Sequence, residues 1–306
     1  MKDIKQKLTS PNFLYSVLFT VFMSFFMTFP IYAQEETNEA TEEVKKDKPA
    51  RQAFESAWWF DGQTGLLYDK KTLEWVIQHR FGNINNGLTD VFGLYGPTNV
   101  RLGMSYGLIN NLNIGLGYTK NKQIFDINAK YGIFTQTRSN SMPISLAYYG
   151  IIGMELLDEE NYVNSSHRYS FFHSLIITRR FSSKISAQLG PSVSHYNAVY
   201  VQEQEDSSLK KMNNDTWGIS AGVRYKITSQ MIFMLGYDHP ITEHEINQPE
   251  SSFNIGLEVS TSSHAFQVFF TNNQRILPQE NFTFNTNQYR YSEYLIGFNI
   301  TRLWSF

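Results

Sequence analysis

The sequence predicts an all-β fold, an antiparallel up-and-down transmembrane β-barrel of about 12 strands. Three observations predict it. Apolar and polar residues alternate along the chain from Leu73 onward. The links between alternating segments are themselves alternately short and long. The apolar faces carry aromatic rings at both strand ends.

Composition sets the frame. The 306 residues include 24 Phe and 18 Tyr, side chains that favour strands. Only the N-terminus approaches the run of about 20 apolar residues that a membrane helix needs, so a helical bundle is excluded. A net charge of −2 gives no electrostatic footprint for nucleic acid. The absence of cysteine removes disulfides, thiolate metal sites, a cysteine nucleophile and a lipid-modified N-terminal cysteine.

The first element is an export signal. Lys2, Lys5 and Lys7 precede an uncharged apolar core, Phe13 to Phe29, followed by Pro30-Ile31-Tyr32-Ala33. This layout predicts a signal peptide over 1–33, cleaved between Ala33 and Gln34. Residues 34–52 are strongly charged and hold almost nothing apolar, which predicts a disordered periplasmic leader. Residues 53–71 form a separate N-terminal segment. Its adjacent Trp58, Trp59 and Phe60 fit neither a clean strand nor a narrow helical stripe. Three large rings are seldom left in water, so this segment is read either as a plug inside the barrel or as an anchor on its rim. Inward glycines on the second and third strands (Gly103, Gly107, Gly115, Gly117) offer a plug space.

The barrel itself occupies 72–306. Period-two alternation places successive side chains on opposite faces of a sheet. Twelve such segments fall near 72–81, 99–109, 111–119, 123–134, 142–156, 166–181, 184–196, 215–228, 230–239, 251–261, 264–272 and 289–306. An even number suits single-chain bacterial barrels, which have short periplasmic turns and longer outer loops. The links follow that rule with one exception, a short third-to-fourth link. The fourth-to-fifth link is expected to be short.

Aromatic residues on the apolar face mark its two borders. Tyr118, Tyr169, Trp217 and Tyr237 fall at outer ends; Trp75, Tyr106, Tyr225, Trp304 and Phe306 fall towards inner ends. Amphipathic rings settle at headgroup level, so this face is expected to meet outer-membrane lipid. Arg302 and His173 are exceptions on it. The opposite, lumen-lining face carries Glu74, Arg80, Arg101, Asp126, Lys130, Glu155, Arg224, Lys226 and Glu258. These charges would either set ion selectivity or pair across a narrow barrel and hold it shut. Arg80 and Arg101, near the outer ends of adjacent strands, are read as an anion-attracting mouth.

Catalytic chemistry finds little footing. No histidine has serine two positions on, the spacing of outer-membrane phospholipases. His173-Ser174 and Ser194-His195 are adjacent, which sends the two side chains to opposite faces. Asp238-His239 and Glu243-His244-Glu245 share one predicted loop but match no metal motif. No catalytic residue, metal site or cofactor is therefore expected.

The ending Trp304-Ser305-Phe306 resembles the C-terminal signal by which barrel-assembly machinery recognises its clients, and implies that machinery as a partner during biogenesis. Leu73-Glu74-Trp75, His79-Arg80-Phe81-Gly82, Phe92-Gly93-Leu94, Arg101-Leu102-Gly103 and Tyr106-Gly107 resemble a family of membrane-bound β-barrel proteins, a domain of unknown function. That resemblance extends over 54 to 306 and implies a barrel without an activity. The resulting reading is a passive pore or transporter for small polar solutes in the outer membrane of a Gram-negative cell. A closed barrel serving as a scaffold or binding partner fits the same features, and a membrane-embedded enzyme ranks third.

Overall fold

The computed structural model describes residues 47–306 apart from Glu159, Asn161 and Ser292. The expected signal peptide, its cleavage point and residues 34–46 lie outside the described residues. Twelve strands follow in order: β1 (Thr72–Asn83), β2 (Asn99–Ile109), β3 (Leu112–Thr119), β4 (Ile124–Phe134), β5 (Ser145–Glu155), β6 (Tyr169–Arg180), β7 (Ile185–Tyr196), β8 (Asp215–Lys226), β9 (Met231–Pro240), β10 (Ser252–Ser260), β11 (His264–Thr271) and β12 (Leu295–Ser305). Each pairs antiparallel with its chain neighbour, and β12 pairs with β1 from Leu295↔Asn83 to Ser305↔Thr72, so the sheet is a closed barrel. Closure removes the free edge, whose unpaired backbone groups would each cost several kcal/mol in hydrocarbon.

Burial repeats every second residue. Along β1, Thr72, Glu74, Val76, Gln78 and Arg80 are buried, while Trp75 between them is exposed. The arrangement inverts that of a water-soluble protein. Charged and amide side chains are inside; Leu102, Leu116, Ile127, Leu175, Val223, Val268 and Phe270 are exposed outside. So extensive an apolar face needs a nonpolar environment.

The links divide the barrel into two ends. One carries 110–111, 181–184, 227–230 and 261–263; the other carries 84–98, 156–168, 197–214, 241–251 and 272–294. The link 120–123 is the short exception at the long-link end. The fourth-to-fifth link, expected to be short, instead runs over 135–144 at the short-link end. Its length has a reason: it clasps the chain before the barrel. Pro49 bridges Thr137, Ala50 N donates to Gln136 O at 2.7 Å, and Arg138 N donates to Lys48 O at 2.9 Å. The Asp47 carboxylate accepts from Ser139 and Ser141, and hydrogen bonds from Ser139 and Thr137 bring its pKa down to about 2. Residues 47–52 are thus not a disordered leader. Composition misread them because main-chain and carboxylate hydrogen bonds, not apolar burial, hold them.

The two polar exceptions on the apolar face are accommodated locally. His173 does point outward, and its Nδ1 lies 2.6 Å from the Tyr148 hydroxyl on the neighbouring strand. Arg302 also points outward and lays its guanidinium 5.0 Å from the Trp304 ring centre, at the short-link end.

Candidate functional site

A barrel of about eight strands has room only for its own side chains, and one of about sixteen leaves an aqueous channel. Twelve strands lie between, so the contents of the lumen decide what this barrel does. Two inserts occupy it, one entering from each end.

The first insert is the segment 53–68. Trp58–Trp59 pairs with Gly62–Gln63, and the chain reverses at Phe60-Asp61, with Phe60 left-handed at φ 54°. The three rings splay to three parts of the wall, which explains why they fit no single pattern. Trp58 packs with Leu66, Tyr68 and Val76 and donates to Glu74 at 3.1 Å. Trp59 sits on inward glycines: a Cβ on Gly222 would lie 2.5 Å from its Nε1. Phe60 meets Phe269 edge-on at 5.1 Å, and a Cβ on Gly236 would lie 2.8 Å from its ring. The space for Trp59 and Phe60 is thus made on β8 and β9. The glycines of β2 and β3 are used otherwise. Those at 103 and 117 make room for the Arg101 guanidinium, and Gly107 for the carbonyl of Asp69.

Polar contacts fasten this insert along its length. Glu55 forms ion pairs with Arg224 and Lys226, the latter at 2.7 Å. Asp61 pairs with Arg80 and also accepts from Asn273 at 2.9 Å. Lys130 donates to Gln63 at 2.8 Å. Gln267 donates to the Trp58 carbonyl at 2.8 Å, and Asn299 to the Phe60 carbonyl at 2.7 Å. Tyr68 donates to Glu74 at 2.5 Å.

All nine charges assigned to the lumen point inward. Glu74, Arg80, Arg101, Asp126, Lys130, Arg224 and Glu258 are buried; Glu155 and Lys226 are half-buried. Most are matched across neighbouring strands or to the inserts. Arg101 grips Asp126 with two hydrogen bonds of 2.8 and 2.7 Å. Glu258 accepts from Gln267 at 2.7 Å, and Glu155 pairs with Lys122 at 3.0 Å. Arg80 and Arg101 do not form an anion-attracting mouth, because each guanidinium is buried against a carboxylate.

The second insert descends from the long-link end. It is a short helix, α1 (Pro278–Phe284), in the link 272–294, and all its residues are buried. Its proline stands in the first turn, where a missing N–H costs nothing. Phe282 stacks on Phe172 at 6.2 Å, among Ala147, Tyr149, Ile151 and Ile176. Phe284 meets Tyr196 at 4.8 Å. By the alternation alone this link is only one of the long outer ones. Its signal was Ile276-Leu277 and Phe282 within a polar stretch, matched to the inward glycine Gly218, where a Cβ would collide with the Phe282 ring.

Between the inserts remains a chamber of about 50 Å³, lined by Trp59, Gln63, Ser192, Asp238, Asn254 and Asn281 among others. At roughly 10–15 Å³ per water it is the size of a few waters, far below the ~300 Å³ of the smallest usual ligand pockets.

The other sequence candidates do not converge on a site. Asp238 points inward while His239 is on the outward side of the same strand. His244 takes a hydrogen bond from Asn213 N at 2.9 Å, and Glu245 from Lys211 N at 3.0 Å. Among the described residues no three metal-ligating side chains converge. Ser174 and Ser194 are buried inside while His173 and His195 lie outside. Trp304 and Phe306 are exposed on the outer face at the short-link end.

A family model described as a membrane bound beta barrel domain (DUF5777) matches residues 54–304. No curated protein matches the sequence at a significant level. Among solved structures the chain is similar to the NanC porin, with 11% identity, TM-score 0.47, and coverage of 76% of this chain and 98% of that one. It is similar to an outer membrane channel from Pseudomonas putida F1, with 11% identity, TM-score 0.45, and coverage of 78% and 97%. It is also similar to the KdgM porin, with 10% identity, TM-score 0.41, and coverage of 77% and 99%. Likeness at this level concerns barrel architecture and carries no argument about activity.

Proposed function

This chain belongs to the membrane bound beta barrel domain family, and on that premise we propose that it is an outer-membrane channel for small polar solutes, closed at rest by its own two inserts. The observation that supports this reading is the chemistry of the wall behind them. Gln78, Arg101, Asp126, Asn128, Gln188, Ser192, Asn254 and Asn299 all face inward. With the inserts withdrawn, water would meet a hydrophilic lining and leave none of these groups unsatisfied. A wall that never opened would gain from apolar packing instead, since buried ion pairs seldom exceed well-packed hydrophobic residues in stability. The long-link end faces outward and the short-link end faces the periplasm, as in bacterial barrels generally.

A second reading is favoured by one specific observation, the small size of the remaining chamber. On that reading the barrel is a permanently closed scaffold for other envelope components. Conductance in a planar bilayer separates the two. The full mature protein is expected to be silent or to open rarely. A chain starting at Lys70 is expected to conduct steadily. A folded truncation that stays silent would favour the scaffold.

A further inference from the structure

The short-link end carries a second site, separate from the lumen. Arg51, Arg138, Arg179 and Arg180 line one open cleft of about 590 Å³ with Gln136 and Phe181. Among the described residues none of the four enters an ion pair. The adjoining carboxylate, Asp47, is taken up by Ser139 and Ser141. Arg51 and Arg138 are exposed at the mouth and Arg180 is half-buried. Arg180 spends Nε on the Ser182 carbonyl at 3.0 Å, and Arg138 spends Nε on the Pro49 carbonyl at 3.2 Å.

Arg179 is the decisive member. It is only 9% exposed, yet its Nη1 makes no hydrogen bond to protein. An arginine so placed leaves strong, forked donors without an acceptor, and that fork matches phosphate oxygens. Its position on β6 is on the outward face, in line with Leu175 and Ile177 and paired with Ala187. The Phe181 ring lies 5.0 Å beneath its guanidinium. A cation and an aromatic ring on the apolar face, at the last turn of a membrane strand, are at headgroup depth.

We infer that this cleft binds the phosphate of an anionic glycerophospholipid in the leaflet that borders the short-link end. Arg179 reaches the phosphate from the membrane side. Arg180, Arg138 and Arg51 supply the remaining positive charge. The clasp between 47–50 and 136–141 holds Arg51 and Arg138 in place, so residues 47–51 are part of the site.

The test uses the full mature protein in neutral detergent micelles containing phosphatidylglycerol or phosphatidylcholine, with retained lipid counted by native mass spectrometry. Phosphatidylglycerol should be retained in preference. The double variant Arg179→Gln/Arg180→Gln should lower its affinity by roughly thirtyfold. Arg138→Gln, on an exposed link, should lower it by about fivefold; it removes one side-chain hydrogen bond to the Pro49 carbonyl but leaves the main-chain hydrogen bonds of the clasp, and this arm decides the matter if the double variant does not fold. Arg302→Gln, at the same end but outside the cleft, should leave it unchanged. Equal retention of both lipids, or retention unaffected by Arg138→Gln, would overturn the inference. So would displacement by an equal concentration of inorganic phosphate, which would assign the cleft to a free anion.

Discussion

The two inserts fill one lumen and are held very differently. The N-terminal segment is fastened by ion pairs near its start, at Glu55, and at its turn, at Asp61, and by wall amides that reach its carbonyls. The helix α1 is equally buried, but the amides of Gln279 and Asn281 and one oxygen of Glu280 make no hydrogen bond to protein. A buried polar group without a partner costs about 1–3 kcal/mol. Rings hold both inserts; the first is also held by ion pairs to the wall, whereas the polar hold of α1 on the wall strands is the Thr283 hydroxyl on Thr216 at 3.3 Å. Equal burial therefore does not mean equal hold. On the channel reading, the helix is the insert that would leave at smaller cost.

The comparison breaks most visibly under deletion. Starting the chain at Lys70 should raise conductance from silence to a steady open level, and replacing 276–284 with a Gly-Ser link should give intermittent openings. Equal conductance from the two changes would mean that neither insert dominates. The next largest effect is expected from Asp61→Asn, which leaves the Arg80 guanidinium buried without its carboxylate. It should destabilise the barrel by about 3–5 kcal/mol, seen as a lower temperature for the shift between folded and unfolded bands on a detergent gel. A change below about 1 kcal/mol would show that the first insert is not fastened as described. Gln279→Leu in α1 should do the reverse and be neutral or stabilising by about 1 kcal/mol in the same assay. A loss of similar size would reveal a hydrogen-bond partner for that amide.

The smallest effect concerns pH. Burial raises the Glu280 carboxyl above its ordinary 4.5, with Arg275 opposing the rise. A group whose pKa is raised in the closed form takes up a proton on closing. Its contribution is full below the ordinary value and is lost as pH climbs through the raised one. Opening should therefore become more frequent as pH rises from 4.5, and Glu280→Gln should flatten that dependence. An unchanged slope in the variant would place the titrating group elsewhere.

Much of the barrel was legible because a sheet with two environments writes its period directly into the chain. Trp217 to Ile227 alternate without a break, and β8 lies where they alternate. The inward charges were legible by the same parity. What they do was not, because parity fixes a face and leaves partners open: Arg80 finds Asp61, which precedes the barrel. The inserts were the least legible part. Their surroundings are polar, so α1 buries Gln279, Glu280 and Asn281 where a soluble helix would expose them, and the usual apolar stripe is missing. The clue was present at inward glycines 218, 222 and 236, each a socket for one ring, but a socket cannot be recognised before its ring is known.

The reach of the first insert also bears on how the barrel is made. The Asn299 contact to the Phe60 carbonyl spans 239 positions, and the Gln267 contact to Trp58 spans 209. Those contacts run from a segment that directly precedes β1 to the strands that complete the wall. Joining β1 to β12 demands closing nearly the whole chain into a loop, the slowest kind of step for a sheet of non-local pairings. Closing the contacts of the aromatic turn on β11 and β12 and closing the seam are therefore one long-range event: each needs the chain looped over more than 200 positions. The same rings that fill the lumen thus tie the residues just before the first strand to the strands that complete the wall.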